Sequence, residues 1–340
     1  MSREAFGVAA LGALFLGSAL IAADFFMFLN RPVLNTGKSA IYEIKPGAPL
    51  HQIARELEQR GLLSRYIYWI ILARLQGKAR SIKAGEYHLQ GPLMPQQLLD
   101  ELVAGKTRQF SLTLVEGWTF RQVMAALAQH PQIKHTLGKA GDVMAQLGMP
   151  GVNPEGWFFP DTYQFPRGTT DIDFLRRSYV LMKKRLYTIW TTRNAGLPLK
   201  TAYQALIMAS IVEKETALPK ERPMIAAVLL SRLKKDMRLQ TDPTVVYGLG
   251  DSYDGDIRTR DLRLDTPYNT YIRKGLPPTP IAMPGRAALA AVVHPTPSNA
   301  LYFVATKNGG HHFSASYAEH RKAVIKYQLR GDPEHYKQAQ

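Results

Sequence analysis

Cysteine is absent from this chain. Disulfides and cysteine-based zinc sites are therefore excluded. The absence is compatible with an oxidising compartment. Long basic runs are missing too: no stretch of five or more Lys/Arg occurs, so a dedicated nucleic-acid patch is not indicated. The nine histidines include no HExxH, and "GGHHF" (309–313) reads as a hairpin rather than a metal site. "GDSYDGD" does not match EF-hand spacing. There is no GxxxxGK[ST], no GxGxxG after a strand and no GxSxG. "SRLK" at 231–234 stands without a KTG partner. No metal and no cofactor is expected, and nucleic acid is not an expected partner.

What is present begins with charge. The 43 basic residues against 27 acidic ones leave +16. Such an excess favours polyanions, whether anionic lipid or acidic wall polymer, or simply gives a solvated basic surface. Phe6–Ala23, "FGVAALGALFLGSALIAA", carries no charge and can extend past Asp24 to Leu29. About 20 apolar residues span a bilayer core. Asp24 would lie near one interface, where its cost is reduced. A cleaved signal peptide is the rival, with "GSA" at 17–19 as a loose small-x-small site, but apolar residues continue beyond it. A single uncleaved span over 1–30 is the reading adopted. Arg3 on one side and Arg31, Lys38 and Lys45 on the other leave its orientation open.

Residues 31–40 read as a linker. From 41 to 108 the pattern is strand ("IYEIKPG"), helix ("APLHQIARELEQRGL"), helix ("SRYIYWIILARLQG", with Ser64 as cap) and strand ("AGEYHL"), then a helix with Leu98, Leu99, Leu102 and Val103 on its apolar side. The βααβ order resembles LysM-type glycan-binding modules.

Residues 109–340 form the larger part, α+β in character. "QFSLTLVEG" reads as a strand and "TFRQVMAALAQH" as a helix capped by Thr119. "PEGWFFPDTYQFPRG" holds five aromatics and three prolines and is expected to be irregular, either packing in a core or offering faces to a sugar. Three helices follow: an amphipathic one from Asp171, a buried one ending in "SIVEKET" (210–216), and one opened by Pro223. "LQTDPTVVYGLG" reads as a turn into loop, and two turn-rich stretches follow it. A helix over "RAALAAVVH", a hairpin around Asn308-Gly309-Gly310 and a terminal helix "YAEHRKAVIKYQLRG" complete the chain.

"SIVEKET" places two glutamates two residues apart at the end of an apolar helix. Residues so spaced are rotated by about 200° on a helix, so Glu213 and Glu215 cannot form a close pair. One reading is a helix end fraying into solvent. The other is a carboxyl held against an apolar wall, its pKa raised by desolvation and the helix dipole, and suited to general-acid chemistry on a glycosidic oxygen. The pattern does not choose between Glu213 and Glu215.

"ASIVEKET", "RLQTDPTVVYG", "YNTYIRKGLPPTPIAMPG" and "EGWFFPDTY", in this order-specific set, resemble the YceG-like endolytic murein transglycosylases. The single N-terminal span, "KAGEYHL", "LVEGWTF" and "HPTPSNALYFVA" agree, and Thr279 in "GLPPTPI" departs where glycine is usual. The resemblance implies an anchor in the cytoplasmic membrane with the large domain outside. It implies cleavage of β-1,4 bonds between N-acetylmuramic acid and N-acetylglucosamine within glycan strands, leaving 1,6-anhydro ends without water. It also implies peptidoglycan as partner, an association with peptidoglycan synthases, and a role in ending strand growth. The family's acid/base is the second glutamate of E-K-E, here Glu215. Gln240, Thr241, Asp242, Asn269 and Tyr271 lie within the matching motifs and are placed in the glycan cleft. Asp242 is equally readable as a cap, since Asp-Pro starts turns. A water-using muramidase with Asp242 as second acid and a non-catalytic wall-binding scaffold are the alternatives.

Overall fold

The computed structural model describes residues 3–138, 143–306 and 308–329. The chain divides into two compact units, Met1–Phe110 with Gln164–Thr169, and Ser111–Tyr163 with Thr170–Gln340.

The first unit opens with α1 (Arg3–Leu29), whose Gly12–Leu29 portion is long and apolar enough to cross a membrane and is almost wholly uncovered by protein. Its end is tied down. Phe25 and Phe28 pack on Tyr68 with ring centroids 5.5 and 5.7 Å away. Asp24 accepts a hydrogen bond from the Tyr68 hydroxyl (2.8 Å) and pairs with Arg65 (3.3 Å), so it is a partnered charge near the end of α1.

β1 (Ser39–Ile44), α2 (Leu50–Gln59), α3 (Tyr66–Leu75) and β2 (Gly85–Gln90) follow in the expected βααβ order, then α4 (Pro95–Ala104). β1 and β2 are antiparallel, Ser39 opposite Gln90 and Ile44 opposite Gly85. Alternation turns Tyr42, Ile44, Tyr87 and Leu89 inward, onto Leu57, Trp69, Leu98, Leu99 and Leu102 from the helices. The Trp69 indole donates to the Pro95 carbonyl, and the Tyr87 hydroxyl to the Lys83 and Leu102 carbonyls, so the polar tips of the core rings are satisfied. Ser64 does not cap α3. The helix opens at Tyr66 after Arg65, and the Tyr66 N–H donates to the Glu58 carboxylate of the preceding helix (3.0 Å).

β3 (Gln109–Thr113) pairs with β4 (Thr162–Pro166), and the division between the units falls within these strands. In the second unit come α5 (Phe120–Gln129), α6 (Val143–Gln146), α7 (Asp171–Thr191), α8 (Ala202–Glu215), α9 (Arg222–Lys234), α10 (Asp242–Leu249), α11 (Thr259–Leu262) and α12 (Arg286–Val293). The hairpin β5 (Tyr302–Ala305) and β6 (His311–Ser314) and the helix α13 (Tyr317–Tyr327) end it. Thr119 caps α5 as expected, accepting from the Gln122 N–H in a capping box. α8 is the central rod: every residue from Ala205 to Glu213 is buried, chiefly by α7, α9 and α12.

Two readings change. The aromatic segment is not wholly irregular, because Thr162–Pro166 is a strand. Its rings Trp157, Phe158, Phe159, Tyr163 and Phe165 are all buried, so they pack rather than face a sugar. "DPTVVYGL" is a helix rather than a loop. Asp242 and Pro243 are as suited to a helix's first turn as to a reverse turn, since Pro lacks only an N–H that would be unpaired there. Lys307 in the hairpin turn, and Arg330 and Gly331 at the end of the terminal segment, lie outside the described residues.

Candidate active site

α8 delivers both glutamates, and the fold treats them oppositely. Glu213 is fully engaged. Its Oε1 accepts from Arg222 Nη2 (2.6 Å), at the start of α9, and its Oε2 accepts from the Gly285 N–H (2.9 Å), at the N-cap of α12. Burial raises its pKa, while the Gly285 N–H and Arg222 oppose that rise. Glu213 thus pins the end of one helix to the beginnings of two others, at the positive pole of α12. An added Cβ at Gly285 would lie within 3 Å of the carboxylate end of Glu116, a half-exposed side chain with room to move aside.

Glu215 points the other way, into a cleft of about 320 Å³ that Arg232, Gln240, Asp242, Tyr271 and His311 also line. The residue as a whole is half-buried, but its Oε2 is sealed from solvent and has no hydrogen-bond partner among the described residues. Burial, and secondly the negative charge of Asp242, push its pKa up to about 8. At neutral pH it is therefore mainly the neutral acid, able to give a proton to a bound oxygen.

The facing wall is built from two zipped segments. The Gln240 N–H donates to the Thr270 carbonyl (3.1 Å), and the Thr241 N–H to the Thr270 hydroxyl (3.1 Å). Gln240 takes a positive φ of 53° to enter this pairing. Asp242, the first residue of α10, is exposed and accepts from the Tyr271 hydroxyl at 2.5 Å. Burial, then the Asp242 charge, holds that hydroxyl protonated well above its ordinary range. Thr241 is buried within the zipper. Asn269 does not reach the cleft. It is buried, its Nδ2 donates to the carbonyls of Asp261, Leu262 and Leu264, and its Oδ1 accepts from the Tyr271 N–H. It shapes the loop that presents Tyr271. Thr279, where the motif usually has glycine, bonds through its hydroxyl to that of Tyr268 (2.9 Å).

Three cleft groups carried no sequence signal. Arg232 is a buried guanidinium. It donates to the carbonyls of Leu301, Arg238 and Leu239 and to Gln240 Oε1, and lies over the Tyr302 ring. His311 is held by Glu221: Oε1 accepts the backbone N–H (3.0 Å) and Oε2 meets Nδ1 (2.8 Å). These contacts make Nδ1 the protonated nitrogen. Nε2, then an acceptor, has no hydrogen-bond partner among the described residues and is not sealed from solvent, while the ring meets Phe303 edge-on. His320, also on the cleft wall, is kept neutral by burial and then by Arg232.

A fourth acid, Glu155, is buried away from this cleft. Its oxygens accept from the Phe120 N–H (2.9 Å) and the Tyr247 hydroxyl (3.0 Å), and burial lifts its pKa to about 7 against those bonds. Glu155 ties α5 to α10, and both of its oxygens have partners.

The arrangement amounts to one unpartnered, neutral carboxyl in a polar cleft, a negative charge beside it in Asp242, a braced guanidinium in Arg232, and neutral donors and acceptors around them. Comparisons with known proteins converge on one group. The sequence model of the YceG-like family matches residues 42–326. An endolytic murein transglycosylase of Bacillus subtilis (strain 168) is 30% identical over 332 residues, which is 91% of each chain. One of Streptococcus pneumoniae (serotype 2, strain D39) is 28% identical over 320 residues, 84% of this chain and 57% of the longer pneumococcal one. The 2.6 Å crystal structure of a yceG-like protein of Listeria monocytogenes has a TM-score of 0.53 and 28% identity, covering 84% of this chain and 99% of that one.

Proposed function

The chain belongs to the YceG-like family, and from that membership we infer that it is an endolytic murein transglycosylase. Its substrate is the peptidoglycan strand, its reaction that of a lyase, and its bond the β-1,4 link from N-acetylmuramic acid to N-acetylglucosamine. The observation that carries the reading is Glu215, a carboxyl kept neutral in a cleft and left without a partner.

The chemistry needs only one such group. The Glu215 O–H protonates the glycosidic oxygen, and the bond from that oxygen to C1 breaks with the electron pair leaving on oxygen. The carboxylate so formed takes the proton of the muramyl C6 hydroxyl as O6 closes onto C1. The proton count on Glu215 is restored, no water enters, and a 1,6-anhydro end remains. The intramolecular nucleophile replaces the second carboxyl that hydrolytic glycosidases use. Asp242 supports both steps, because its charge favours the neutral acid at first and a more basic carboxylate afterwards. Gln240, Asp242 and Tyr271 contact the glycan, as does His311 through Nε2. Asn269 acts from behind by holding Tyr271 in place.

α1 anchors the protein in the cytoplasmic membrane, with the cleft on the extracytoplasmic side. The βααβ unit is the LysM-like glycan-binding module. Cutting within new strands ends their elongation, which places the protein beside peptidoglycan synthases. Digestion of purified glycan strands tests the reading. Product ends lighter than reducing ends by one water support it. Reducing ends point to a muramidase with Asp242 as second acid, and binding without cleavage points to a scaffold.

A further inference from the structure

The face of the small unit that adjoins the end of α1 has features its core does not explain. α3 exposes three large aliphatic side chains, Ile67, Ile71 and Leu75, at 53%, 40% and 76% of their full surface. Their i, i+4, i+8 spacing places them on one stripe. The opposite side of α3 already buries Trp69, Leu72 and Ala73. The helix sequence, YIYWIILARL, contains no acidic residue. Through Tyr68, α3 packs directly on Phe25 and Phe28, the last turn of the apolar α1.

Beside the same end of α1 lies a cavity of about 650 Å³. Phe28 opens its lining, and Leu34, Leu62 and Leu63 form a buried apolar floor. Arg31, Lys38 and Arg60 also line it, and no acidic residue does. The three cations come from separate stretches of chain: the exit of α1, the approach to β1 and the end of α2. None of them forms an ion pair with a described residue, whereas the neighbouring Arg65 is paired with Asp24. Arg60 also lies over the Tyr42 ring, and an anion in the cavity would be attracted by all three cations. The turn that closes the cavity, residues 60–64, leads straight into α3.

The geometry points to a lipid-facing surface on this unit. The α3 stripe enters the interface of the bilayer that α1 crosses, and the cationic cavity takes the phosphate of an anionic phospholipid. Continuity with α1 identifies the occupant as the membrane itself, and the charge of the cavity selects anionic headgroups. An apolar stripe flanked by basic side chains is the pattern of helices that lie in the interface plane. This contact adds to the packing of Phe25 and Phe28 on Tyr68 that already ties the unit to α1.

The inference rests on α1 being a membrane span, and its test separates the two. The chain has no cysteine, so Leu20→Cys, Ile71→Cys, Leu75→Cys and Lys106→Cys each give one site for an environment-sensitive fluorophore. Full-length protein is placed in nanodiscs of phosphatidylcholine, with or without phosphatidylglycerol, and with or without nitroxide-labelled lipid. The expected result is a blue-shifted, nitroxide-quenched label at 20, 71 and 75, and a water-like label at 106. Quenching at 71 and 75 should be stronger with phosphatidylglycerol, and mostly lost in the Arg31→Gln, Lys38→Gln, Arg60→Gln triple variant. Free inorganic phosphate should not abolish it. A water-like label at 71 and 75 while 20 is quenched overturns the docking surface alone. A water-like label at 20 overturns the span and the surface together. Equal quenching in both lipids overturns the anionic cavity, and loss of lipid contact in free phosphate makes it a site for the soluble ion instead.

Discussion

Glu213 and Arg222 form a buried ion pair at 2.6 Å, two residues along the chain from the carboxyl that the cleft presents. The pair fixes the end of α8, and so sets where Glu215 stands. Glu213→Ala leaves a buried guanidinium without its main partner, an effect of about 3–5 kcal/mol. A large fall in the melting temperature is the expected outcome, with activity lost through misplacement of Glu215.

Glu215→Gln should behave in the opposite way. It replaces an unpartnered buried acid by a neutral amide of the same shape, so thermal stability should hold or rise. Cleavage should fall by at least about 100-fold, the usual contribution of a general acid. Circular dichroism melting and release of anhydro-muropeptides measure the two effects. Wild-type rates in the variant would remove Glu215 from the chemistry.

The raised pKa of Glu215 has two consequences with pH. In the unfolded chain the carboxyl has its ordinary value of 4.5, against about 8 when folded. Between these values the folded state holds the extra proton, so this group's contribution to stability is full at low pH and is lost as pH rises toward and through 8. Activity should likewise decline on an alkaline limb near pH 8, where the acid ionises. Asp242→Asn removes the second cause of the shift and should move that limb to lower pH. Burial, the larger cause, should keep it above the ordinary carboxylate range. A profile of kcat/KM against pH in both proteins checks this.

His311 is set by Glu221 to present Nε2 as an acceptor. His311→Ala should raise KM for glycan strands several-fold with a smaller change in kcat, the mark of a binding contact. Glu221→Gln can still bond to the ring but no longer favours Nδ1–H, and should give a weaker version of the same change. An effect on kcat alone would instead place His311 among the proton-transfer groups.

Two glycines in left-handed conformation separate crowding from backbone strain. At Gly156 (φ +83°) an added Cβ would lie 2.6 Å from Pro280 Cβ and Cγ, while at Gly168 (φ +80°) it would meet nothing within 4 Å. Gly168→Ala should cost about 1–2 kcal/mol for the backbone alone. Gly156→Ala adds overpacking of about 1–3 kcal/mol against the 280–283 loop. Denaturant unfolding of both variants ranks them.

Local periodicity carried most of the architecture into the sequence. The βααβ order, the Thr119 cap, the Pro223 helix start and the buried run into "SIVEKET" depend on neighbours a few residues apart. What was hidden depends on distant ones. The choice between Glu213 and Glu215 turns on Arg222 and on the Gly285 N–H, 72 residues away. Asn269 looked like a cleft residue because it is polar and sits in a matching motif, yet its amide serves three carbonyls of its own loop. His311 read as part of a hairpin, which it is, but the hairpin also walls the cleft. Asp242-Pro243 carries one signal for two structures, and only the packing of α10 decides for the helix.

The Arg232 side chain, rooted in α9, bonds both to the 238–240 segment and to Leu301, the residue before β5. A guanidinium is flat and cannot stretch, so it works as a fixed gauge block between those three walls. A glycan strand in the cleft would therefore pass between a wall braced at Arg232 and the β6 side, which is itself tied through His311 to Glu221. Arg232→Lys keeps the charge but loses the gauge, because one ammonium cannot hold four oxygens at their separate positions.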